Sequence, residues 1–338
     1  MAHGDLVLVT GANGFIAAHC VQQLLEKGYS VRGTVRSAAK GTHLTNLFAK
    51  YGDKFSVVVV DDITKDGAFD SAVKDCDFIL HVASPFYLPK GDAYEELVIP
   101  ATKGTVGVLQ SVYNDKDSKV KRVVVTSSFA AVVDVVNKPA NHEYTEADWN
   151  ESSKPEDAGM LGYRASKTLA ERAAWKFVED NQPKFDIVTI NPPLVIGALI
   201  HETSGVEQLN TSTNNVYNIL KGNPIPPGAI GFVDVKDVAK AHVLAIEVKE
   251  AGGKRFLCAS DFKSFQEVAD ILRKLYPKEP IAEGKPGVYD EHPTINATRA
   301  KTVLGMTFIP IEESLKTTCD ELIALRDAKK LNVWDAAV

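Results

Sequence analysis

Asp5-Leu6-Val7-Leu8-Val9-Thr10-Gly11-Ala12-Asn13-Gly14-Phe15-Ile16-Ala17 is the stretch on which the fold turns. A short apolar run ends in a glycine turn, and beyond it Val21, Leu24 and Leu25 recur at helical spacing, so strand, turn and helix follow in that order. One glycine lets the backbone bend sharply; a second lets it approach a pyrophosphate at the positive end of the helix. The pattern is GxxGxxA rather than GxGxxG, with Ala17 small enough for close packing of helix on strand. A plain glycine-rich connection accounts for the motif equally well in isolation, and the strand–turn–helix order raises the dinucleotide reading.

Working outward, strand patterns recur at Ser30–Val35, Phe55–Val60, Asp77–Val82, Lys119–Thr126 and Phe185–Ile190, with helical patterns such as Ala93–Tyr113 and Gly159–Asn181 between them. Alternation of this kind implies parallel strands with right-handed crossovers, an α/β doubly wound sheet of Rossmann type. The runs Val57–Val60 and Val123–Val125 read as strands covered on both faces. Beyond Asn191-Pro192-Pro193 the rhythm breaks into a Gly-, Pro-, Asn- and Thr-rich stretch with one helix through Leu209, Val216, Tyr217 and Leu220. Ile230–Val248 reads as a return to the main sheet, joined by a strand at Arg255–Ala259; Phe265–Leu275 and Ile311–Arg326 are amphipathic.

Three features carry chemistry. Arg36, with Lys40 behind it, ends the second strand where an NAD-preferring site would carry an acidic residue for the ribose 2′-hydroxyl, and so suits a 2′-phosphate; the alternative is a pair of surface cations. Tyr163 and Lys167 are four residues apart, hence on one helix face, where a cation would favour ionisation of the phenol. Ser128 follows the β-branched strand Val123-Val124-Val125-Thr126, at the carboxyl edge where a hydroxyl can reach a substrate carbonyl or simply form a turn.

Taken together with His81-Val-Ala-Ser-Pro-Phe86, Asn191-Pro-Pro-Leu-Val-Ile-Gly197 and Phe232-Val-Asp-Val-Lys-Asp-Val-Ala-Lys-Ala-His242, these motifs resemble the extended short-chain dehydrogenase/reductase superfamily over nearly the whole chain. Within it the chain is similar to fungal and yeast NADPH-dependent aldehyde and ketone reductases of methylglyoxal type, and to plant dihydroflavonol and cinnamoyl-CoA reductases. The resemblance implies a catalytic Ser128, Tyr163 and Lys167. It implies NADP(H) held by Gly11, Asn13, Gly14, Phe15, Ile16, Arg36, Lys40, Asp62, Ile63, Ala83, Ser84, Thr126, Tyr163, Lys167, Pro192, Val195 and Ser212, with Asp62 near the adenine. Residues 1–197, with 229–260 returning to them, would form the NADP-binding domain, and 198–228 with 261–338 the substrate-binding lobe. Phe86, Tyr87, Phe129, Val133, Met160 and Leu194 would line an apolar substrate pocket. Leu194 stands where yeast relatives often carry an aromatic residue and Val133 where Phe is frequent, so the pocket differs in shape.

The implied activity is reduction of aldehydes, ketones or ketoesters. Its rivals are an NAD-dependent nucleotide-sugar epimerase or dehydratase, for which Arg299 is the C-terminal cation to consider, and a non-catalytic NADP-binding regulator. A net charge of −6 disfavours nonspecific attraction to nucleic acid or anionic membrane. Cys20, Cys76, Cys258 and Cys319 are scattered in or beside apolar runs and read as buried hydrophobes, with no metal called for. The chain enters its first strand at once and has no apolar stretch approaching a membrane span, so a cytoplasmic protein is expected, monomer or homodimer.

Overall fold

The computed structural model describes residues 4–84, 92–203, 205, 209–289 and 291–328. The first half alternates strand and helix: β1 (Leu6–Thr10), α1 (Phe15–Glu26), β2 (Ser30–Val35), α2 (Ala38–Leu47), β3 (Phe55–Val59), β4 (Phe78–His81), α3 (Ile99–Asn114) and β5 (Arg122–Thr126). Then come β6 (Glu143–Tyr144), α4 (Gly159–Asn181), β7 (Asp186–Asn191), β8 (Leu194–Ile196), α5 (Thr211–Leu220), β9 (Ala229–Asp234), α6 (Val235–Glu247) and β10 (Arg255–Leu257). The chain continues through β11 (Asp261–Ser264), α7 (Phe265–Leu275), β12 (Thr294–Ile295), α8 (Thr298–Val303) and α9 (Ile311–Asp327).

Seven strands form one sheet in the order β10-β7-β5-β4-β1-β2-β3, every pairing parallel. The order reverses between β1 and β4, which opens a crevice at their carboxyl ends. Side-chain alternation divides the core. Val7 and Val9 of β1, Val124 of β5 and Val188 and Ile190 of β7 join the cluster beneath α1 and α6, whereas Leu8, Val123, Val125 and Ile187 join the one beneath α3 and α4. The four cysteines are all buried.

Two expectations need correction. β3 is the sheet's edge strand and Val59 is 52% exposed, so the valine run is not covered on both faces. A β-branched run specifies a strand but not its place in the sheet. β9 does not rejoin the main sheet: it pairs in parallel with β8 and antiparallel with β11 in a separate three-stranded sheet. α6 does return, packing against α1, and β10 pairs with β7. The helix expected from Ala93 begins with a π-helical turn, Tyr94–Val98, before α3.

Beside the small sheet, α5, α7 and α9 bury Val216, Leu220, Leu272, Leu315 and Leu322 in a third cluster. α7 starts where a capping box is written locally: Ser264 accepts from the Glu267 amide while Glu267 accepts from the Ser264 amide. Among the described residues no helix is long and apolar enough to cross a membrane.

Candidate active site

A cleft of about 660 Å³ lies at the crevice between β1 and β4. Its floor is the glycine turn. Gly11 has φ +63°, and a Cβ there would sit 3.1 Å from the Ala83 Cβ and 3.2 Å from its Cα, so the turns after β1 and β4 approach this closely only because one residue lacks a side chain. The Gly11 amide donates to Thr34 Oγ1 and the Gly14 amide to the Gly11 carbonyl. α1 begins at Phe15 with no side chain capping its first turn, leaving amides directed at the cleft as in a phosphate cradle. The Thr10 hydroxyl accepts from the amides of Val82 and Ala83 and therefore gives its own proton to His81 Nδ1, 3.0 Å away. Burial, with nearby Lys167 adding to it, lowers His81 to a pKa of about 3, so it is a neutral structural histidine at the end of β4.

Along this floor lie Asn13, Gly14, Phe15, Ile16, Arg36, Lys40, Ile63, Ala83, Ser84, Thr126, Pro192, Val195 and Ser212, all named from sequence. Arg36 and Lys40 are exposed at one end, and Lys40 reaches Glu202 at 3.9 Å in an exposed pair of little energetic weight. The Thr126 hydroxyl meets His242 Nε2 at 2.6 Å; because His242 Nδ1 is bonded to the Val238 carbonyl, it must be the donor, and Thr126 gives its proton to Nε2. Asp62 does not line the cleft: its carboxylate accepts from the amide and hydroxyl of Thr64 and is held below the ordinary carboxylate range by those two bonds.

The other end holds Ser128, Tyr163 and Lys167 together. Tyr163 and Lys167 project from successive turns of α4, with the Lys167 ammonium 5.8 Å from the phenol ring centre. Ser128 caps a short 3₁₀ turn, accepting from the Ala130 amide at 3.0 Å, and its side chain hydrogen-bonds the Tyr163 phenol. Lys167 Nζ donates to Ser84 Oγ at 2.7 Å. Burial pushes the phenol above its usual pKa, opposed by the Ser128 bond, and pushes Lys167 down to about 8. The four-residue spacing of Tyr163 and Lys167 predicts a phenol lowered by the lysine. Instead desolvation dominates, because burial disfavours the charged form of both groups.

Leu194 lines the cleft, but Phe129 and Val133 are packed into a separate cluster with Tyr144, Leu257 and Phe262, and Met160 is half exposed in the first turn of α4. Phe86 and Tyr87 lie outside the described residues. Sequence reading missed Pro193, Leu209, Asn210 and Thr211, which line the same cleft from the segments around β8 and α5. Pro193 belongs to the Asn191–Gly197 motif, whereas no motif marks Leu209, Asn210 or Thr211. Arg299 is not in the lining; its guanidinium donates to the Arg255 carbonyl.

Residues 7–259 match the NAD dependent epimerase/dehydratase family. The chain belongs to that family. Among relatives, it is 38% identical over 335 residues to the NADPH-dependent methylglyoxal reductase GRE2 of Saccharomyces cerevisiae, covering 94% of this chain and 98% of that one. It is 40% identical over 332 residues to cinnamoyl-CoA reductase CAD2 of Medicago truncatula, covering 94% and 96%. Its fold matches the crystal structure of yeast methylglyoxal/isovaleraldehyde reductase Gre2 complexed with NADPH at a TM-score of 0.90 and 35% identity, covering 96% of this chain and 99% of that one. The resemblance read from the motifs thus extends to family and fold. Within the epimerase/dehydratase family, these relatives are reductases by name.

Proposed function

We propose that this protein is an NADPH-dependent carbonyl reductase acting on aldehydes, ketones or ketoesters. The observation that carries the reading is one cleft with Arg36 and Lys40 at one end and Ser128, Tyr163 and Lys167 at the other, joined by a glycine cradle in which a Cβ at Gly11 would meet Ala83. Such a floor fits a dinucleotide phosphate, and the two cations fit a 2′-phosphate. Similarity to an NADPH-dependent methylglyoxal reductase supports the same cofactor and reaction class.

When bound, the dinucleotide supplies a hydride to the carbonyl carbon. Ser128 orients the carbonyl through its hydroxyl, and Tyr163 gives its phenolic proton to the oxygen on which charge develops. A phenol raised by burial keeps that proton through neutral pH, as an acid must. Lys167, protonated below about 8, stabilises the phenolate left behind and holds Ser84 at the cofactor side. Leu194, Pro193 and Leu209 add apolar, uncharged surface to the cleft lining, which favours uncharged carbonyls over nucleotide sugars. Arg299, engaged with β10, offers nothing to a nucleotide diphosphate in the cleft.

Tyr163→Phe keeps the ring and removes the acid. Turnover with the best aldehyde of a panel should fall by about two orders of magnitude, the scale of losing a general acid, with NADPH affinity nearly intact. Retention of more than half the turnover would refute the assignment of the acid.

A further inference from the structure

One helical turn beyond Lys167, α4 carries Glu171, whose side chain is wholly buried and which accepts bonds from elements far apart in the chain. Arg255 Nε of β10 donates to Oε1 at 2.6 Å, Trp175 Nε1 at 3.2 Å, and the Thr189 hydroxyl lies 3.1 Å from the same oxygen. Oε2 takes the Ser127 hydroxyl at 2.6 Å and Asn191 Nδ2 at 2.7 Å. Arg255, Trp175, Ser127 and Asn191 all donate to it, and the single Thr189 proton lies between Glu171 Oε1 and Asn191 Oδ1, the latter 3.0 Å away, so the acceptor-only chemistry of a carboxylate suits the site better than an amide. Asn191 Nδ2 also lies 3.2 Å from the Ser128 carbonyl, while the Phe129 amide donates to the Pro192 carbonyl. The ends of β5 and β7, from which Ser128 and Pro192 enter the cleft, are therefore bolted to each other and to the helix that carries Tyr163 and Lys167.

We infer that Glu171 is a positioning residue for the reduction: through Ser127 and Asn191 it sets the backbone of Ser128, and so the distance between the Ser128 hydroxyl, the Tyr163 phenol and the substrate carbonyl. The inference rests on the catalytic role proposed for Ser128. Replacing the carboxylate by an amide sets an NH₂ against donors. On the Oε2 side the NH₂ leaves Ser127 free to rotate and accept but makes the Asn191 amide turn or retreat, releasing the Ser128 carbonyl; on the Oε1 side it opposes Arg255 Nε and Trp175 Nε1 and displaces the side chain that holds Asn191. Small displacements of this kind cost rate because catalysis needs aligned groups.

The test is a double-mutant cycle with Glu171→Gln and Ser128→Ala, reading kcat and KM for an aldehyde and for NADPH, with the folded fraction fixed by NADPH titration. Glu171→Gln alone should lower kcat by about tenfold or more while KM for NADPH stays within about twofold. In the Ser128→Ala background the same change should cost less than about twofold, since the group it positions is gone. Equal losses in both backgrounds, or a lower melting temperature with unchanged kcat, would overturn the inference and leave the role of Ser128 standing. Full turnover in Ser128→Ala alone would overturn both. Should Glu171→Gln fail to fold because Arg255 loses its partner, Ser127→Ala removes one link and keeps the ion pair. It should lower kcat about threefold or more in the wild-type background and hardly at all beside Ser128→Ala, with equal losses counting against the inference.

Discussion

Single side chains here are governed by how much water surrounds them. Arg36 is exposed at the cleft mouth, so a charge-assisted bond to phosphate belongs at the lower part of the range of about 1.5–3 kcal/mol. At about tenfold per 1.4 kcal/mol, Arg36→Asp with Lys40→Ala should lower kcat/KM for NADPH by about tenfold or more and change that for NADH little. An unchanged NADPH/NADH ratio of initial rates would place the 2′ selectivity elsewhere. Lys167 is the opposite case, lowered from 10.5 to about 8 by burial. The unfolded chain then binds more protons between about 8 and 10.5, so the stability penalty is complete below about 8 and eases as pH rises through that window. Accordingly, Lys167→Met should raise the melting temperature relative to wild type more at pH 7 than at pH 10, and a gain independent of pH would contradict the burial argument. Turnover in the direction of reduction should decline above about pH 8 as the ammonium is lost.

At the level of elements, α4 acts as the spine of the site because Tyr163, Lys167 and Glu171 leave successive turns of one helix. Its entry is tight. A Cβ on Gly162 would lie 2.6 Å from the Ala93 Cβ and closer still to the Asp157 carbonyl, neither of which is a flexible side-chain end. Alanine ordinarily stabilises a helix over glycine by about 1 kcal/mol, but overpacking of this kind costs about 1–3 kcal/mol, so the clash should win. Gly162→Ala is expected to lower the melting temperature and, by displacing the adjacent Tyr163, to lower turnover as well. Thermal denaturation showing an unchanged or higher midpoint would mean that the segment before α4 yields without cost.

Across the whole molecule, α6 joins the main sheet's helices to the C-terminal segments. Asp237 on α6 accepts from the Ile309 amide at 2.7 Å, and burial raises its carboxyl from 3.8 to about 6 against the pull of that bond. Between about 4 and 6 the folded chain keeps a proton that the unfolded chain has lost, so stability falls as pH rises through this window and the penalty is complete above it. Asn can accept the same bond without a charge. Asp237→Asn should therefore raise the melting temperature at pH 7.5 and change it little at pH 4, and equal shifts at the two values would show that the charge at this seam is not what matters.

What sequence alone determined is what a few neighbouring residues can specify. β2 at Ser30–Val35, α4 at Gly159–Asn181 and α7 at Phe265–Leu275 run over the residues expected, because periodicity, glycine turns and caps act within one or two turns of chain. The glycine cradle, the Tyr163–Lys167 pair and the parallel doubly wound sheet are legible for the same reason. Tertiary structure decided everything that depends on which segments meet. It made β3 an edge and β9 part of a second sheet, took Phe129 and Val133 into a core, and turned Asp62 toward Thr64. It also brought Leu209 and Asn210 to the cleft and Arg255 to Glu171, 84 residues away in sequence. Burial, a property of the assembled fold, reversed the direction expected for the Tyr163 phenol, since desolvation depends on all the neighbours and no spacing of residues encodes it.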